Sequence, residues 1–521
     1  MLSDGSGTGR RLRSRLAAVR HAAFPIAFPF MLLLAMPVAL AARSVHAVLP
    51  PEIARAFVQS GVPLAHVSIV VQDAARPAPM FTLNAGRPRS PASVMKLVTT
   101  WSALNLLGPD YRWRTEAWLD GPLEDGVLHG NLIVKGYGDP AITVEQLQAF
   151  VASLRANGLD AIDGDLVVDR SFFRLPPFDP GAFDSEPGKP YNVGPDALLV
   201  NFKAIHVTLA PSADGAGVAV TMEPDLTAVT IARTPSLAPS AECGDWRERA
   251  GLVIDDRGDR ATLDFGGSYP ANCGERDWWI SVLDHEHYIG GAFAWAFRAA
   301  GGRFDGGVRE GRAPIGAAPF ATLMSPPLYD VVADINKYSN NVMAQQLFLT
   351  LATTIGPPPA TYPGAIRAVR HYLASAKLAL PGLVVVNGSG LARRGRLTAA
   401  ALNRLLVAAS RSGLRDAFAN TLPVAATDGT LARRFRDDRV AGQAVLKTGT
   451  LDDVRAIAGY VIDADNRWFS VVALVNDRHA DRASHALDTL VEWVYDHGAA
   501  YAKRATFRVP AGSSGRADSR E

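Results

Sequence analysis

Three short strings, far apart in the chain, constrain this sequence more than any other feature. Each is common by itself, but in this order the patterns S-x-x-K, S-x-N and K-T-G supply the parts of one active site. Those parts are a serine nucleophile, lysines that manage its proton, and an amide and hydroxyls suited to a peptide that ends in a carboxylate. The strings are Ser93-Val-Met-Lys96, Ser339-Asn340-Asn341 and Lys447-Thr448-Gly449-Thr450.

The first string stands at the start of a predicted buried helix. Ser93 and Lys96 are three positions apart, so both side chains lie on one face of that helix. A serine hydroxyl is a weak nucleophile until a base takes its proton. Lys96 can act as that base when it is neutral, and burial together with a second cation, Lys447, lowers a lysine pKa. The apolar residues recur at helical spacing before Gly108 ends the pattern: Val94, Leu97, Val98, Trp101 and Leu104.

The other two strings supply the remaining parts. Ser339 is predicted to relay the proton toward the departing amine, and Asn341 to hydrogen-bond a substrate amide. Thr448 and Thr450 alternate along a predicted strand, which places two hydroxyls beside Lys447 as a carboxylate receptor. Gly449 between them lets substrate backbone approach closely. Backbone N–H groups of Ser93 and Thr450 are expected to hold the oxyanion.

Each string alone has an ordinary structural interpretation. S-x-x-K near a helix start is usually a cap followed by a solvated lysine, S-N-N is usually a turn, and K-T-G is usually a loop. The ordered set, on a helix start, a turn between helices and a strand, favours catalysis.

Residues 1–47 have the pattern of a signal peptide. A basic stretch from Arg10 to Arg20 precedes an apolar run from Ala22 to Leu40, and small residues mark two candidate cleavage sites. The alternative is an uncleaved membrane anchor, because the run approaches spanning length. Three prolines in the run disfavour a continuous membrane-spanning helix and therefore favour cleavage. Either way the rest of the chain is predicted to lie outside the cytoplasm, in the periplasm, with membrane contact only through an uncleaved signal.

The net charge of +2 is concentrated in this first segment. It holds six arginines and one acid, so the remaining chain is slightly acidic. The slightly acidic net charge of the chain after residue 47 disfavours nucleic acid as a partner.

Two cysteines, Cys243 and Cys273, fit an exported protein. An even number in that compartment permits one disulfide, and two unpaired buried thiols are the alternative. The chain has neither a CxxC string nor Cys/His ligand spacing, so we expect no structural zinc, no other metal and no cofactor. Asp284, His285, Glu286 and His287 suggest the start of a helix rather than a metal site.

The order of predicted elements indicates an α+β fold with an insertion. A hairpin at 66–83 and a second hairpin at 455–475 are expected to share one antiparallel sheet flanked by helices. Residues 48–110 and 284–502 then form the catalytic domain. Between them, residues 111–283 alternate short β-like runs with Gly, Pro and Asp, which predicts one or two mostly β inserted domains. Residues 503–521 are polar and predicted to be disordered.

This set of strings resembles the penicillin-binding protein and serine β-lactamase superfamily. The long gap between the first and second strings is similar to one branch, the D-Ala-D-Ala carboxypeptidase/endopeptidases of the penicillin-binding protein 4 type (low-molecular-mass class C). Members of that branch carry extra domains at this place. Further strings resemble the branch and spread the likeness over residues 50–500: Pro91-Ala92-Ser93, Gly136-Tyr137-Gly138-Asp139-Pro140, Tyr191-Asn192 with Asn201, Asn387-Gly388-Ser389-Gly390-Leu391, and Asp428-Gly429-Thr430-Leu431.

The resemblance implies an activity and its partners. The substrate is then the peptide stem of peptidoglycan, and Ser93 is acylated by the penultimate D-alanine. D-alanine leaves, or the far strand leaves when a cross-link is cut. β-Lactam antibiotics are implied as covalent inhibitors that acylate the same serine.

The chain departs from the family pattern at two positions. Asn387 stands where members often have an acid, and Ala392 where they often have serine. Both lie outside the three core strings and concern substrate detail. Arg393 and Asp139 are candidates for contact with the stem's side chain, and surface charges that fix loops are the alternative.

Two other functions share this scaffold. A β-lactamase or esterase needs a base that activates the deacylating water, and the sequence identifies none. A non-catalytic wall-binding or penicillin-sensing protein needs neither lysine, so the joint presence of Ser93, Lys96 and Lys447 argues against it.

Overall fold

The computed structural model describes residues 49–239, 242–436 and 438–506, with only the backbone of 503–506. In chain order the helices are α1 (Pro51–Gln59), α2 (Lys96–Leu106), α3 (Val144–Ala156), α4 (Trp246–Ala250), α5 (His285–Ala299), α6 (Leu328–Lys337), α7 (Asn341–Thr350), α8 (Tyr362–Ser375), α9 (Ala399–Ser410), α10 (Arg415–Asn420) and α11 (Ser484–Thr506). The strands are β1 (Val67–Asp73), β2 (Phe81–Leu83), β3 (Arg114–Asp120), β4 (Leu123–Glu124), β5 (Val127–Leu128), β6 (Asn131–Gly136), β7 (Ala161–Ile162), β8 (Leu166–Asp169), β9 (Ile205–Pro211), β10 (Val218–Glu223), β11 (Val229–Arg233), β12 (Ser236–Ala238), β13 (Leu252–Asp256), β14 (Ala261–Phe265), β15 (Ser268–Pro270), β16 (Arg276–Ile280), β17 (Arg303–Phe304), β18 (Val308–Glu310), β19 (Ala321–Met324), β20 (Ala444–Leu451), β21 (Val454–Ile462) and β22 (Trp468–Asn476).

Strands from both ends of the chain form one sheet. Its order is β2-β1-β22-β21-β20, and every neighbouring pair is antiparallel. Where β1 pairs with β22, Val67 lies opposite Val475, and Asp73 lies opposite Phe469. The sheet therefore unites segments some 400 residues apart in sequence, as the hairpin patterns predict.

Helices cover both faces of this sheet because its strands are apolar on both sides. Val67, Ile69 and Val71 of β1 pack into a core with α1 and α11. Val70 points the other way, into a core built with α2 and α6 to α10. Alternate residues of a strand face opposite sides, so β1 contributes to two cores at once. The second core is the one that holds the helix after Ser93.

The region between α2 and α6 has a separate hydrophobic core and several small sheets. The predicted β-like runs are found as β6, β8, β9, β10, β11 and β14. The α+β prediction with sheet-rich inserted domains is confirmed. The sheets have the orders β18-β8-β6-β3-β19, β17-β7-β5-β4, β10-β9-β16, β11-β14-β13 and β12-β15.

Helices also contribute to this inserted core. No helix was predicted in the inserted region before residue 284. Leu147 and Phe150 of α3 pack there with Phe293 of α5. Thr143 caps α3 by accepting a hydrogen bond from the N–H of Gln146. The helical signal was therefore present in the sequence, in the form of a cap and an apolar face.

Elements that follow the predicted boundary at residue 283 pair and pack with the inserted region. Strand β19 returns to pair with β3, where Ala321 lies opposite Ala117, and α5 is buried in the same core. These elements hydrogen-bond and pack with the inserted region rather than with the first sheet. We therefore propose that the inserted region runs from about residue 113 to residue 324, and that the catalytic region resumes with α6.

Three further predictions concern the ends of the chain. The predicted signal peptide, 1–47, lies outside the described residues. The predicted disordered tail, 503–521, overlaps the end of α11, which continues to Thr506; residues 507–521 lie outside the described part. Among the described helices none is both long and apolar enough to cross a membrane.

Candidate active site

Ser93 stands in a short 3₁₀ turn, Ala92–Met95, that leads directly into α2. Ala92 before it has a positive φ of 45°, a conformation that is strained for a residue with a side chain. The serine itself is half-buried. Its Oγ lies within hydrogen-bonding distance of Nζ of Lys96, at 3.0 Å.

Lys96 is fully buried and has three partners. Besides Ser93, its Nζ contacts Oδ1 of Asn341 at 2.6 Å and the backbone oxygen of Ser389 at 2.8 Å. Burial lowers the pKa of Lys96 well below its usual value, and the charge of Lys447 lowers it further. Burial and a neighbouring cation both disfavour the ammonium form.

The second pair joins the second and third strings. Nζ of Lys447 donates to Oγ of Ser339 at 2.9 Å and to the backbone oxygen of Thr448 at 2.9 Å. Lys447 is fully buried, and burial lowers its pKa to about 7. Ser339 has a positive φ of 60° in the turn between α6 and α7, so the backbone there is held in an unusual conformation.

Strand β20 passes directly alongside Ser93. A Cβ placed on Gly449 would lie 2.9 Å from the oxygen of Pro91 and 3.1 Å from the backbone nitrogen of Ser93. Any side chain at 449 would push the strand away from the nucleophile, so this close approach requires glycine at that position. Thr448 is half-buried, and Thr450 is exposed.

Three strings to which the sequence analysis gave no chemical role also reach the site. Ser389 supplies the backbone oxygen to Lys96, and Tyr191 supplies a backbone oxygen that accepts from Nδ2 of Asn341 at 3.1 Å. Thr430 accepts a hydrogen bond from the hydroxyl of Thr448 at 2.8 Å. Asn341 thus uses both ends of its amide within the protein, where the sequence predicted a contact with substrate.

Of the two residues proposed to contact the stem's side chain, the structure brings only Arg393 to an open cleft. Its guanidinium lies 4.4 Å from the ring centroid of Phe183 and donates to that residue's backbone oxygen at 3.1 Å. Both residues line a cavity of about 260 Å³, which Asn387 and Asn192 also line. Arg393 is exposed and available to a ligand.

Asp139 lies in a different, buried environment. Its side chain is 1% exposed, and Oδ1 accepts a hydrogen bond from the N–H of Ala141 at 2.8 Å. Burial raises the pKa of Asp139 to about 6. The carboxylate fixes the turn before α3, so the predicted contact with a stem peptide does not fit this position.

Elsewhere the two cysteines are joined, Cys243 to Cys273. Asp284 caps α5 by accepting from the N–H of His287 at 2.9 Å. Within the described residues, groups of three or more His, Cys, Asp or Glu arranged to hold a metal ion are absent.

Comparison with known proteins relates this geometry to characterised families. A family model described as D-Ala-D-Ala carboxypeptidase 3 (S13) matches residues 51–496. The chain is 28% identical over 440 residues to a D-alanyl-D-alanine carboxypeptidase of Actinomadura sp. (strain R39), covering 81% of this chain and 80% of that protein. It is 24% identical over 395 residues to the D-alanyl-D-alanine carboxypeptidase DacB of Haemophilus influenzae, covering 74% of this chain and 80% of the relative.

A solved structure shares the fold. Penicillin binding protein 4 (dacB) from Haemophilus influenzae superposes with a TM-score of 0.70 at 22% identity, covering 85% of this chain and 98% of the other.

Proposed function

Because the chain belongs to the D-Ala-D-Ala carboxypeptidase 3 (S13) family, we propose that it hydrolyses D-Ala-D-Ala peptides through an acyl-enzyme on Ser93. The family and the class of enzyme that the resemblance implied, a serine DD-peptidase of the penicillin-binding protein type, are confirmed. The assignment of roles to single residues is our proposal. The observation that carries it is the pair of buried lysines, each within 3.0 Å of a serine Oγ.

In the acylation step, Oγ of Ser93 attacks the carbonyl carbon of the penultimate D-alanine. The hydroxyl proton passes to neutral Lys96 as the C–O bond forms. The oxyanion is proposed to be held by the backbone N–H groups of Ser93 and Thr450. The close approach of Gly449 in β20 to the backbone nitrogen of Ser93 supports this assignment.

The leaving group then needs a proton. Ser339 gives its proton to the departing amine as the peptide C–N bond breaks, and Lys447 resupplies Ser339 through their 2.9 Å hydrogen bond. D-alanine leaves from an uncrosslinked stem, and the neighbouring strand leaves from a cross-link. Water then attacks the ester carbonyl. Lys96 returns its proton to Oγ of Ser93 as the ester C–O bond breaks, and the proton that the water loses restores the proton that Lys447 gave to Ser339.

The third string is proposed to bind the terminal carboxylate of the substrate. Thr448 and Thr450 offer hydroxyls along β20, and Lys447 is a cation next to them when it is protonated. Thr430 orients the Thr448 hydroxyl by accepting its hydrogen bond. Arg393, beside the 260 Å³ cavity, is proposed to contact the side chain of the stem.

The natural substrate is proposed to be the peptide stem of peptidoglycan, and β-lactams are proposed to acylate Ser93. The N-terminal pattern supports export to the periplasm. A wall polymer outside the cytoplasm is a substrate that an exported enzyme of this family can reach.

Intact-mass spectrometry with benzylpenicillin tests this mechanism. The wild-type protein should gain one stoichiometric adduct, and Ser93→Ala should gain none. Ser236→Ala, at an exposed serine of the inserted region, is the matched control and should react like the wild type. An adduct that persists in Ser93→Ala would overturn the mechanism, and an absent adduct in all three proteins would favour the wall-binding alternative.

Rapid loss of the adduct would favour the β-lactamase alternative instead. A persistent adduct, together with release of D-alanine from a stem pentapeptide in the absence of drug, would support the peptidase.

A further inference from the structure

A second cleft lies at the seam between the catalytic and inserted regions. It has a volume of about 560 Å³. One wall comes from the segment that follows α2, including Tyr111, and from the loop of Pro358 and Pro359; the other comes from the inserted region. Ser93 precedes α2 and Tyr111 follows it, and the eleven residues of this helix span about 16 Å at 1.5 Å per residue; the described residues that line the cleft do not include those of the three strings. The cleft is therefore distinct from the acylation site.

The lining of this cleft is strongly cationic. It includes four basic side chains, and the described residues that line it include no carboxylate. This contrasts with the slightly acidic composition of the chain after residue 47. The four basic residues are Arg112, Arg114, Lys135 and Arg312.

Two carboxylates behind the lining hold these cations in place. Glu116 pairs with Arg114 at 3.1 Å. Asp169 is 1% exposed and contacts both Lys135 at 3.1 Å and Arg312 at 3.4 Å. Four positive charges thus stand against two negative ones; Asp169 is buried and the Glu116 side chain is 14% exposed. The surplus faces the cleft, where it favours an anionic ligand.

An aromatic side chain orients the same cations. The guanidinium of Arg114 lies 4.2 Å from the ring centroid of Tyr137, and Nζ of Lys135 lies 5.3 Å from it. The Tyr137 hydroxyl donates to Glu116 at 2.6 Å, which fixes the ring. Cations held over a ring lose less freedom when a ligand binds than free surface side chains do.

Part of each charged group remains open to a ligand. The Arg312 side chain is 73% exposed. Arg112 donates a hydrogen bond from one Nη to the backbone oxygen of Ser325 and is otherwise exposed. A guanidinium presents several N–H groups in one plane, which matches the two oxygens of a carboxylate.

We propose that this cleft binds the carboxylates of a second peptide stem of the same polymer, while another stem occupies the Ser93 site. The proposal rests on the proposed function, because it takes the substrate to be a polymer with many stems. Each stem ends in a carboxylate both before and after the terminal D-alanine is removed. A second contact about one helix length from Ser93 raises the local concentration of uncut stems at the catalytic serine.

Calorimetric titration of the full-length protein tests the proposal. The probe is a synthetic stem tetrapeptide ending in one D-alanine, and the protein is first treated with benzylpenicillin so that the Ser93 site is blocked. The treated protein should bind one equivalent of the peptide. The double variant Arg112→Gln/Arg312→Gln should bind it roughly tenfold more weakly or worse, because two charge-assisted contacts are lost.

Arg260→Gln is the matched control. Its side chain is 66% exposed and makes one 3.1 Å contact with an aspartate, which resembles the situation of Arg312, but it lies outside the cleft. It should bind the peptide like the wild type. Melting temperatures of all variants show whether a loss of binding reflects a loss of folding.

Three results would overturn the proposal: absence of binding to the treated protein, equal binding by the double variant, or equal binding of the peptide with its carboxylates amidated. Displacement of the peptide by equimolar inorganic phosphate would assign a general anion site rather than a stem site. The extent of acylation of each variant by benzylpenicillin, measured by mass spectrometry, reports the reactivity of Ser93 separately from binding in the cleft. A failure of acylation contradicts the proposed function, and the comparison of wild type with the double variant still decides the cleft.

Discussion

Nζ of Lys96 lies 3.0 Å from Oγ of Ser93, and the other two partners of that nitrogen can only accept. They are Oδ1 of Asn341 and the backbone oxygen of Ser389. A neutral amine has two N–H groups and one lone pair. If the two N–H groups satisfy the two acceptors, the lone pair faces the Ser93 hydroxyl, which is the one partner with a proton to give. The surroundings of Lys96 therefore match its neutral form, in agreement with its lowered pKa.

Replacing the proposed base should remove acylation without removing the fold. Lys96→Met keeps the approximate length and the apolar stem of the side chain, but its thioether is not a base and cannot take the Ser93 proton. We expect the rate of acylation by benzylpenicillin to fall by about 10³-fold, within the range for loss of a general base. Stopped-flow or quenched mass measurements give this rate. Lys377→Met, at an exposed lysine, should acylate normally, and a Lys96→Met protein with the wild-type rate would exclude Lys96 as the base.

Lys447 should make stability depend on pH above neutrality. Burial holds its pKa at about 7, below the usual value of 10.5. Between these pH values the unfolded chain binds a proton at this site that the folded chain lacks, so the free energy of unfolding should rise with pH. The slope for one such group is at most about 1.4 kcal/mol per pH unit.

Denaturant unfolding of wild type and Lys447→Met at pH 6, 8 and 9.5 isolates this contribution, because other groups titrate in both proteins. The stability of the wild type relative to the variant should increase with pH through this window. A difference that stays constant would mean that Lys447 is not held neutral in the folded protein.

The close packing of β20 against the nucleophile makes residue 449 sensitive to a single methyl group. In Gly449→Ala the new Cβ would meet the oxygen of Pro91 at 2.9 Å and the nitrogen of Ser93 at 3.1 Å. A displacement of about 1 Å in a catalytic group costs roughly 100-fold in rate, and we expect acylation to slow by about that factor. Gly413→Ala, where the added Cβ has open space, is the control. Equal acylation rates in the two variants would show that β20 moves away without cost.

The three core strings were predictable because each is local. Ser93 lies just before α2, Ser339 lies in the turn between α6 and α7, and Lys447 lies in β20. These are the helix start, the turn between helices and the strand that the sequence predicts, since apolar periodicity and turn residues identify short elements well. The contacts that complete the site are not local. Ser389 reaches Lys96 across 293 positions and Tyr191 reaches Asn341 across 150, and both contribute backbone oxygens, which carry no side-chain signature.

The same limit applies to Asp139 and to the domain boundary predicted at residue 283. Asp139 follows a glycine-rich string typical of loops, but whether a loop carboxylate faces solvent depends on what packs over it. The predicted boundary at residue 283 differs from the extent that we propose because strand β19 pairs with β3 from the far side of α5, a pairing that no local pattern indicates. Register between strands some 200 positions apart is a tertiary property.

Thr430 should contribute to substrate binding through Thr448. Thr430→Val removes the acceptor for the Thr448 hydroxyl while keeping the shape of an exposed side chain. Loss of one hydrogen bond that orients a binding group costs about 1 kcal/mol, so we expect kcat/KM for a stem pentapeptide to fall by about fivefold. Thr427→Val, on the same loop and also exposed, is the control. An unchanged kcat/KM in Thr430→Val would mean that Thr448 needs no fixed orientation.

The disulfide should stabilise the inserted region without affecting Ser93. Cys243 and Cys273 are 30 positions apart, and Cys273 is buried in the inserted core, which is separate from the core that holds α2. Closing a loop of this length restricts the unfolded chain by roughly 3 kcal/mol. Cys243→Ser/Cys273→Ser should therefore lose about that much free energy of unfolding, measured by denaturant titration of tryptophan fluorescence. Its rate of acylation by benzylpenicillin should stay at the wild-type value under native conditions. A parallel loss of acylation would mean that the inserted region must stay fully ordered to hold Tyr191 against Asn341, and the two cores would then act as one unit.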